Sequence, residues 1–335
     1  MHPEILDSLT DKERIEKLKQ NNNVKVIDCF NDQIKELNKI KKVIPNKLID
    51  VWIYYPWNKV LVRILNKEDY RLLRLSRNKN LITNEEQKKF SHQKIGIAGL
   101  NVGNPGALCI VLEGGAETMK FADNDILELS NLNRFRASLE NLGINKAILS
   151  AHQAYEIDPF INIEIFDRGV SEDNIDQFLT QPRIDLLIEE MDNLPLKIRI
   201  RERAKYYKIP VLMVTGNGPG LIIDVERFDL EPNLPLLNGY LKENVIKRIS
   251  TTLTETMSIQ EKSMLARDFI GTEFLNEKLK QSFDLVGKEL ASIPQTSESS
   301  FLRGVALCYF ARQIATNYPV PSGRYHFSLD SLIND

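Results

Sequence analysis

A chain of 335 residues, 42% hydrophobic and 27% charged, has room for one large domain with extensions or for two domains. Its formal charge of −2 gives no bulk attraction for nucleic acid or an anionic membrane, and no apolar stretch approaches the roughly 20 residues of a membrane-crossing helix. The opening MHPEILDSLTDKERIEKLKQ lacks the apolar centre of a secretory leader, so a cytoplasmic protein is expected.

The three cysteines, Cys29, Cys109 and Cys308, are far apart and form no C-x-x-C pair. A four-cysteine zinc site is excluded, and a disulfide framework is not expected. Cys109 and Cys308 sit in apolar runs and read as small buried hydrophobes. No zinc is expected.

Residues 1 to about 45 are polar, with Leu6, Leu9, Ile15 and Leu18 spaced for an amphipathic helix. VKVIDC reads as a short strand, and the run from Ile34 to Val43 as a further helix. LIDVWIYYPWNKVLVRIL predicts two strands joined at Pro56-Trp57-Asn58, with Trp52, Tyr54 and Trp57 in the core of this N-terminal module. A helix follows over Lys67 to Arg77, and Thr83 with Glu86 has the look of a capping box.

From Lys94 the pattern alternates strand and helix. An apolar strand (Ile95, Ile97, Ala98) enters the turn Gly99-Leu-Asn-Val-Gly103-Asn-Pro-Gly106. A helical run, a second strand over Thr118 to Ala122 and an acidic end at Asp123 follow. Asn145 to Ile157 reads as a helix closed by Asp158-Pro159, INIEIF as a strand, and SEDNIDQFLT as a helix capped by Ser171. IDLLIEE is a buried strand ending in acids, a helix runs from Pro195 through Tyr207, and IPVLMVTG and GLIIDVERF are further strands. Such alternation predicts an α/β, Rossmann-like, mainly parallel sheet with helices on both faces, whose ligands bind beyond the carboxyl ends of the strands. After Glu231-Pro232 the alternation stops. The segment to about residue 318 is helical in character, with a helix start at SESS, and GRYHFSLDSLIND holds a short strand. Three units result: an N-terminal α+β module over 1–90, a nucleotide-binding unit over 91–235, and a mostly helical region over 236–335.

Strict G-x-G-x-x-G fails in the turn. Asn101 and Asn104 occupy the second and third glycine positions, and Gly103 and Gly106 are displaced. Alone, the turn suits NAD, flavin, a methyl donor or ATP. Asp123 at a strand tip can accept from two ribose hydroxyls, Arg134 and Lys146 downstream are cations able to meet phosphate, and Asp192 beyond IDLLIEE can hold Mg²⁺ against phosphates. This set describes a nucleoside triphosphate site. Hydride transfer needs neither Lys146 nor Asp192, which counts against a Rossmann oxidoreductase. His92, His152 and His326 show no partner spacing and read as structural.

The order of these pieces resembles the ThiF/MoeB family, ATP-dependent adenylating enzymes related to ubiquitin-activating enzymes. The matching pieces are GIAGLNVG, ADNDILELSNLNR, the NKA of GINKA, YEIDP, and EEMDN followed by a helix and KIPVLMVTG, over about residues 70 to 230. The resemblance implies Asp123 for ribose, Asn131, Arg134 and Lys146 for phosphates, and Asp192 for Mg²⁺. Gly99, Asn101, Gly103 and Asp125 complete the expected nucleotide-binding set. Arg74-Leu-Ser-Arg77 matches the family's R-x-x-R, whose second arginine reaches the ATP site of the other subunit. Arg77 would then join Arg134, Lys146 and Asp192 as a catalytic residue of a homodimer. WIYYPWNKVLVRIL, RLSRNKNLIT and IDVERFDLEP look like a bacterial branch, some members of which are fused to a nitroreductase-like domain; none is expected within these 335 residues.

Thioester-forming relatives place a cysteine after the metal aspartate, and none stands here between Asp192 and Cys308. A thiolate step is therefore not expected. The implied activity is ATP- and Mg²⁺-dependent activation of a carboxylate, such as the C-terminus of a small protein or peptide, as an acyl-adenylate. A non-catalytic nucleotide-binding scaffold is the alternative.

Overall fold

The structure, a computed structural model, describes residues 2–41, 49–252 and 256–333. Its N-terminal sheet holds β1 (Glu4–Asp7), β2 (Lys25–Asp28), β3 (Asp50–Tyr55) and β4 (Val60–Leu65) in the order β1-β3-β4-β2. The apolar set expected on one helix divides here. Leu6 lies in β1, Leu9 is exposed in the following turn, and only Ile15 and Leu18 belong to α1 (Lys12–Lys19). The next helix, α2, covers Phe30–Ile40; Lys42 and Val43 of its expected span lie outside the described residues. Two more helices, α3 (Lys67–Arg74) and α4 (Asn84–Ser91), lead to the large sheet. The Thr83 capping box is present: Glu86 N–H donates to Thr83 Oγ1 at 3.2 Å, and Thr83 N–H donates to Glu86 Oε2 at 2.7 Å.

The large sheet comprises β5 (Lys94–Ala98), β6 (Thr118–Ala122), β7 (Asn162–Phe166), β8 (Leu186–Glu189), β9 (Val211–Asn217), β10 (Gly220–Glu226) and β11 (Gly323–Ser328). Its order is β11-β10-β9-β8-β5-β6-β7. The strands from β9 to β7 run parallel, whereas β10 and β11 turn back antiparallel at one edge. The crossovers are α5 (Leu100–Leu112), α6 (Lys146–Ile157), α7 (Ile175–Thr180) and α8 (Leu194–Tyr206). One face of the sheet packs against α5 and α6, the other against α7 and α8, as the buried clusters show. This is the mainly parallel Rossmann-like α/β fold expected from the alternation. The helix expected from Ser171 begins later, at Ile175, because the Asn174 side chain folds back to accept the Ser171 N–H at 2.7 Å and closes a turn first.

Beyond β10 come α9 (Glu243–Ser250), α10 (Ile259–Ile270), α11 (Glu277–Leu285) and α12 (Ser297–Ala315). The last of these lies against α5. Gly304 makes room for the Pro105 ring and Gly106 for the Leu307 side chain, since a Cβ at either would stand within 2.7 Å of its neighbour. One buried cluster runs from Ile53 and Tyr55 of the small sheet through α5 to Leu307 and Ala311 of α12. Among the described residues no helix is long and apolar enough to cross a membrane.

Candidate functional site

The chain leaves β5 toward β6 and β7 on one side, then returns to place β8 on the other. The carboxyl ends of β5 and β8 therefore flank a topological switch point, where open α/β sheets form their ligand crevice. Gly99 ends β5 there with φ 92°, and a Cβ at this position would stand 2.4 Å from the Glu190 carbonyl. Glycine is required both by the backbone angle and by the approach of the β8 end.

The expected long glycine turn is a single residue. Leu100 already begins α5, so Asn101, Gly103 and Gly106 lie inside the helix. Gly103 accommodates Ile97 of β5, and its missing Cβ serves helix-on-strand packing, not ligand approach. Asn104 is buried and donates to Ser150 Oγ at 2.9 Å and to Gln153 Oε1 at 2.8 Å, tying α5 to α6. Asn101 keeps a buried Oδ1 without a partner. The first-turn N–H groups of α5 have no intrahelical acceptor and lie at the crevice.

Asp123 follows β6 at the same edge. Its Oδ2 accepts the Leu100 N–H at 2.6 Å and its Oδ1 the Asp125 N–H at 2.9 Å. Burial raises its carboxyl above the ordinary value, against the pull of those two amides and of Lys146. Asn145 caps α6 and donates to the carbonyls of Asp123 and Asp167, each at 2.9 Å, which fixes the next residue, Lys146, beneath the strand tip. The Lys146 ammonium is buried and meets the exposed Asp125 carboxylate at 2.9 Å. Asn131 accepts the Glu128 N–H at 3.1 Å and, through its carbonyl, the Arg134 N–H at 3.0 Å, so it shapes the turn that carries Arg134. Arg134 donates to Ser130 O at 3.0 Å and Asn133 Oδ1 at 2.8 Å, while its Nε is buried and unpartnered. Burial lowers its pKa, and the charge of Asp192 opposes that shift.

Asp192 has no hydrogen bond or ion pair among the described residues. The cap of α8 is the next residue, Asn193, which accepts the Leu196 N–H at 3.1 Å. Protein encloses the recess around Asp192 and raises its carboxyl, with Lys197 the largest opposing charge; its exposed face tempers that push. The recess opens into a cavity of about 720 Å³ lined on one side by Glu190, Asp192 and Arg303 and on the other by Phe269, Leu279 and Phe283. Burial holds the Glu190 carboxyl up at about 8. Arg303, from α12, donates to Gln295 Oε1 at 3.1 Å and is pushed down by burial, opposed by Glu190 and Asp192. Sequence reasoning missed Arg303 and Glu190; the signal available was an arginine inside the apolar run of α12 and the last acid of IDLLIEE.

Behind Asp192 lies a dry counterpart. Glu189 accepts from Lys197 Nζ at 3.0 Å and from Arg201, and Arg201 Nε reaches Glu226 Oε2 at 2.8 Å. Two acids and two bases thus fix β8, α8 and β10 to one another.

Arg77 stands apart from these groups. Arg74 donates to the carbonyls of Val111 and Leu112 and pairs with Asp158 at 3.0 Å, and Asn78 donates to Glu113 O at 3.1 Å. Arg77, between them in sequence, is exposed at the C-terminal end of α5. The helix separates it by about 20 Å from the crevice of its own chain. The histidines carry packing roles: His152 stacks on Trp57 at 4.1 Å, and burial lowers its pKa to about 4.

Residues 75–220 match the model of the ThiF family. An uncharacterized Mycobacterium tuberculosis (strain CDC 1551 / Oshkosh) protein, MT1398, is 29% identical over 326 residues, covering 96% of this chain and 44% of its own length. The probable molybdopterin-synthase adenylyltransferase of Porphyra purpurea is 31% identical over 110 residues, 32% of this chain and 28% of that one. The chain thus spans less than half the length of these two curated relatives. Among solved structures, PaaA superposes with a TM-score of 0.54 at 18% identity, over 77% of this chain and 80% of that one. The E. coli tRNA N6-threonylcarbamoyladenosine dehydratase TcdA gives 0.52 at 17%, over 75% and 96%. A TcdA structure in complex with AMP also gives 0.52, at 18% identity over 74% of this chain and 95% of that one.

Proposed function

We propose, from the match of residues 75–220 to the ThiF family, that the chain activates a carboxylate with ATP as an acyl-adenylate. The observation that carries the reading is Asp192: an unpartnered carboxylate at the switch point, facing a recess that also holds the desolvated Arg134 and Arg303. The relatives support it, since one is named as an adenylyltransferase and TcdA has been solved with AMP.

The residues present fit a nucleotide. Asp123 presents a carboxylate for ribose at a strand tip, and Asn101 Oδ1 and Arg134 Nε are buried polar atoms without protein partners. Arg134 and Lys146 supply cations for the phosphates, Lys146 by exchanging its bond to Asp125. Asp192 would hold Mg²⁺, which when bound neutralises phosphate charge. An acceptor carboxylate oxygen attacks the α-phosphorus, the bond to the bridging oxygen breaks, and pyrophosphate leaves. The two cations meet charge that grows on the phosphate oxygens during that step. The acceptor enters through the cavity; the C-terminus of a small protein or peptide is the class we favour. Arg77 serves the site of a second copy in a homodimer. In this scheme 1–90 presents Arg77, 91–235 holds the nucleotide, and 236–335 shapes the acceptor side.

A non-catalytic nucleotide-binding scaffold is the second reading. It is favoured by the one-residue turn, which offers phosphates fewer free amides than an open glycine loop. Calorimetry with ATP, ADP, NAD and FAD, with and without Mg²⁺, followed by ATP–pyrophosphate exchange with candidate carboxylates, separates the two. Preference for NAD or FAD over ATP sinks the adenylation reading. ATP binding without exchange across acceptor peptides of varied C-terminus favours the scaffold. For the dimer, light scattering should give twice the 38.5 kDa chain mass, and a monomer removes the role of Arg77.

A further inference from the structure

Cys109 and Glu113 lie four residues apart on α5, and Cys308 and Arg312 four apart on α12, so each pair shares one helix face. The two faces meet where the helices pack. The two sulfurs and a Glu113 carboxylate oxygen all lie within 4.8 Å of one another. Cys308 is buried, whereas Cys109 and Glu113 are half-buried. Arg312 Nε donates to Glu113 Oε2 at 3.0 Å.

We propose that Cys109, Cys308 and Glu113 form a binding site for a thiophilic divalent cation of the zinc type, joining α5 to α12. Three properties of the cluster carry this.

The first is spacing. Tetrahedral zinc with bonds of about 2.3 Å to sulfur holds two thiolates about 3.8 Å apart. The upper limit of 4.8 Å between the ligand atoms lies about 1 Å above that spacing. Solvent reaches the cluster past Cys109 and Glu113, giving the ion a way in and water a fourth position.

The second is ligand chemistry. Two sulfurs select zinc or a softer ion over the hard, oxygen-seeking Mg²⁺ and Ca²⁺. The site is thus distinct in kind from the lone carboxylate of Asp192.

The third is charge. Without metal, both thiols are neutral and the Glu113 carboxylate is matched by Arg312. With metal, two thiolates and the carboxylate leave one negative charge on the complex, and Arg312 again matches it. Uptake of the ion with release of two protons therefore leaves no net buried charge in either state. Arg312 also keeps Glu113 oriented, as outer-shell partners of metal ligands do.

This departs from the sequence expectation of no zinc. That expectation rested on local cysteine pairs, and here the ligands come from positions 109, 113 and 308 on two helices. The site does not depend on adenylation. Its consequence would be mechanical: α5 carries the Gly99 turn and α12 carries Arg303, so the ion would clamp the two walls of the crevice together.

The test uses the full chain, stripped with chelator and kept reduced by a phosphine, then titrated with Co²⁺. The expected result is one ion per chain with a thiolate-to-cobalt charge-transfer band, displacement by Zn²⁺, and release of about two protons per ion, so that apparent affinity rises with pH. Cys109→Ala or Cys308→Ala should remove the band, Glu113→Gln should weaken binding about tenfold or more, and Cys29→Ala should leave it unchanged. Absence of the band in the reduced wild-type chain overturns the proposal without reference to how any variant folds. A band that survives both Cys109→Ala and Cys308→Ala overturns it as well.

Discussion

Two acids only three positions apart at the end of β8 have opposite fates. Glu189 is wholly buried, and Lys197 and Arg201 hold its carboxyl below the usual range despite desolvation. Asp192 has no partner among the described residues, and the protein around it raises its carboxyl although one face meets solvent. The first carboxylate is neutralised by the fold. The second is left for something the fold does not contain. Compensated charge marks the scaffold of this crevice, and on the proposed function uncompensated charge marks its working side.

Breaking the compensated side should have the largest effect. Arg201→Ala leaves Glu189 with Lys197 alone and Glu226 with no counter-charge in a dry interior. We expect a loss of about 3–5 kcal/mol in urea unfolding. Conversion of the quartet as a whole to apolar residues of similar volume should cost far less, because no charge is then stranded. Equal losses for the two changes would mean that the quartet does not act as a charge-balanced unit.

Glu190 lies between the two kinds and sharpens the comparison through pH. Its carboxyl titrates at about 8 in the fold against 4.5 as a free group. Below pH 4.5 both folded and unfolded chains carry it protonated, and it costs nothing. As pH rises from 4.5 toward 8, the unfolded chain ionises first, so stability falls across that window and levels off above it. At pH 7 the loss approaches about 3 kcal/mol, and solvent in the cavity reduces it. Glu190→Gln keeps an oxygen to accept the Val214 N–H, now bonded at 2.7 Å, and removes the titration. We expect the variant to be more stable than the parent by about 1–3 kcal/mol at pH 7 and equal to it at pH 4. A parallel shift at both pH values would assign the gain to packing instead.

How much of this was legible in the sequence follows from how local each feature is. The alternation of strands and helices, the strand tip at Asp123 and the Lys146 helix start are set within a few residues, and the structure has them where the pattern put them. The glycine turn misled, because Gly103 and Gly106 look like loop residues but answer to Ile97 and Leu307, which sequence spacing does not reveal. Arg303 and the Glu189–Arg201–Glu226 chain join elements far apart in sequence, and no periodicity encodes which arginine meets which acid. Arg74 and Arg77 read alike as a motif, yet the first is locked against Asp158 and the end of α5 while the second is exposed.

The smallest expected effect is on the stability of Asp192→Asn. The side chain gives up no partner among the described residues, and removing its negative charge removes what the surrounding protein disfavours. Urea unfolding should therefore change by less than about 0.5 kcal/mol, toward greater stability if it moves at all. ATP–pyrophosphate exchange should fall by roughly a hundredfold or more, with a smaller change in ATP affinity, because a cation ligand acts most on charge that develops as pyrophosphate departs. A large stability loss with exchange intact would reverse the comparison: Asp192 would then be a structural acid, and the unpaired charge at the end of β8 would have to be sought at Arg303.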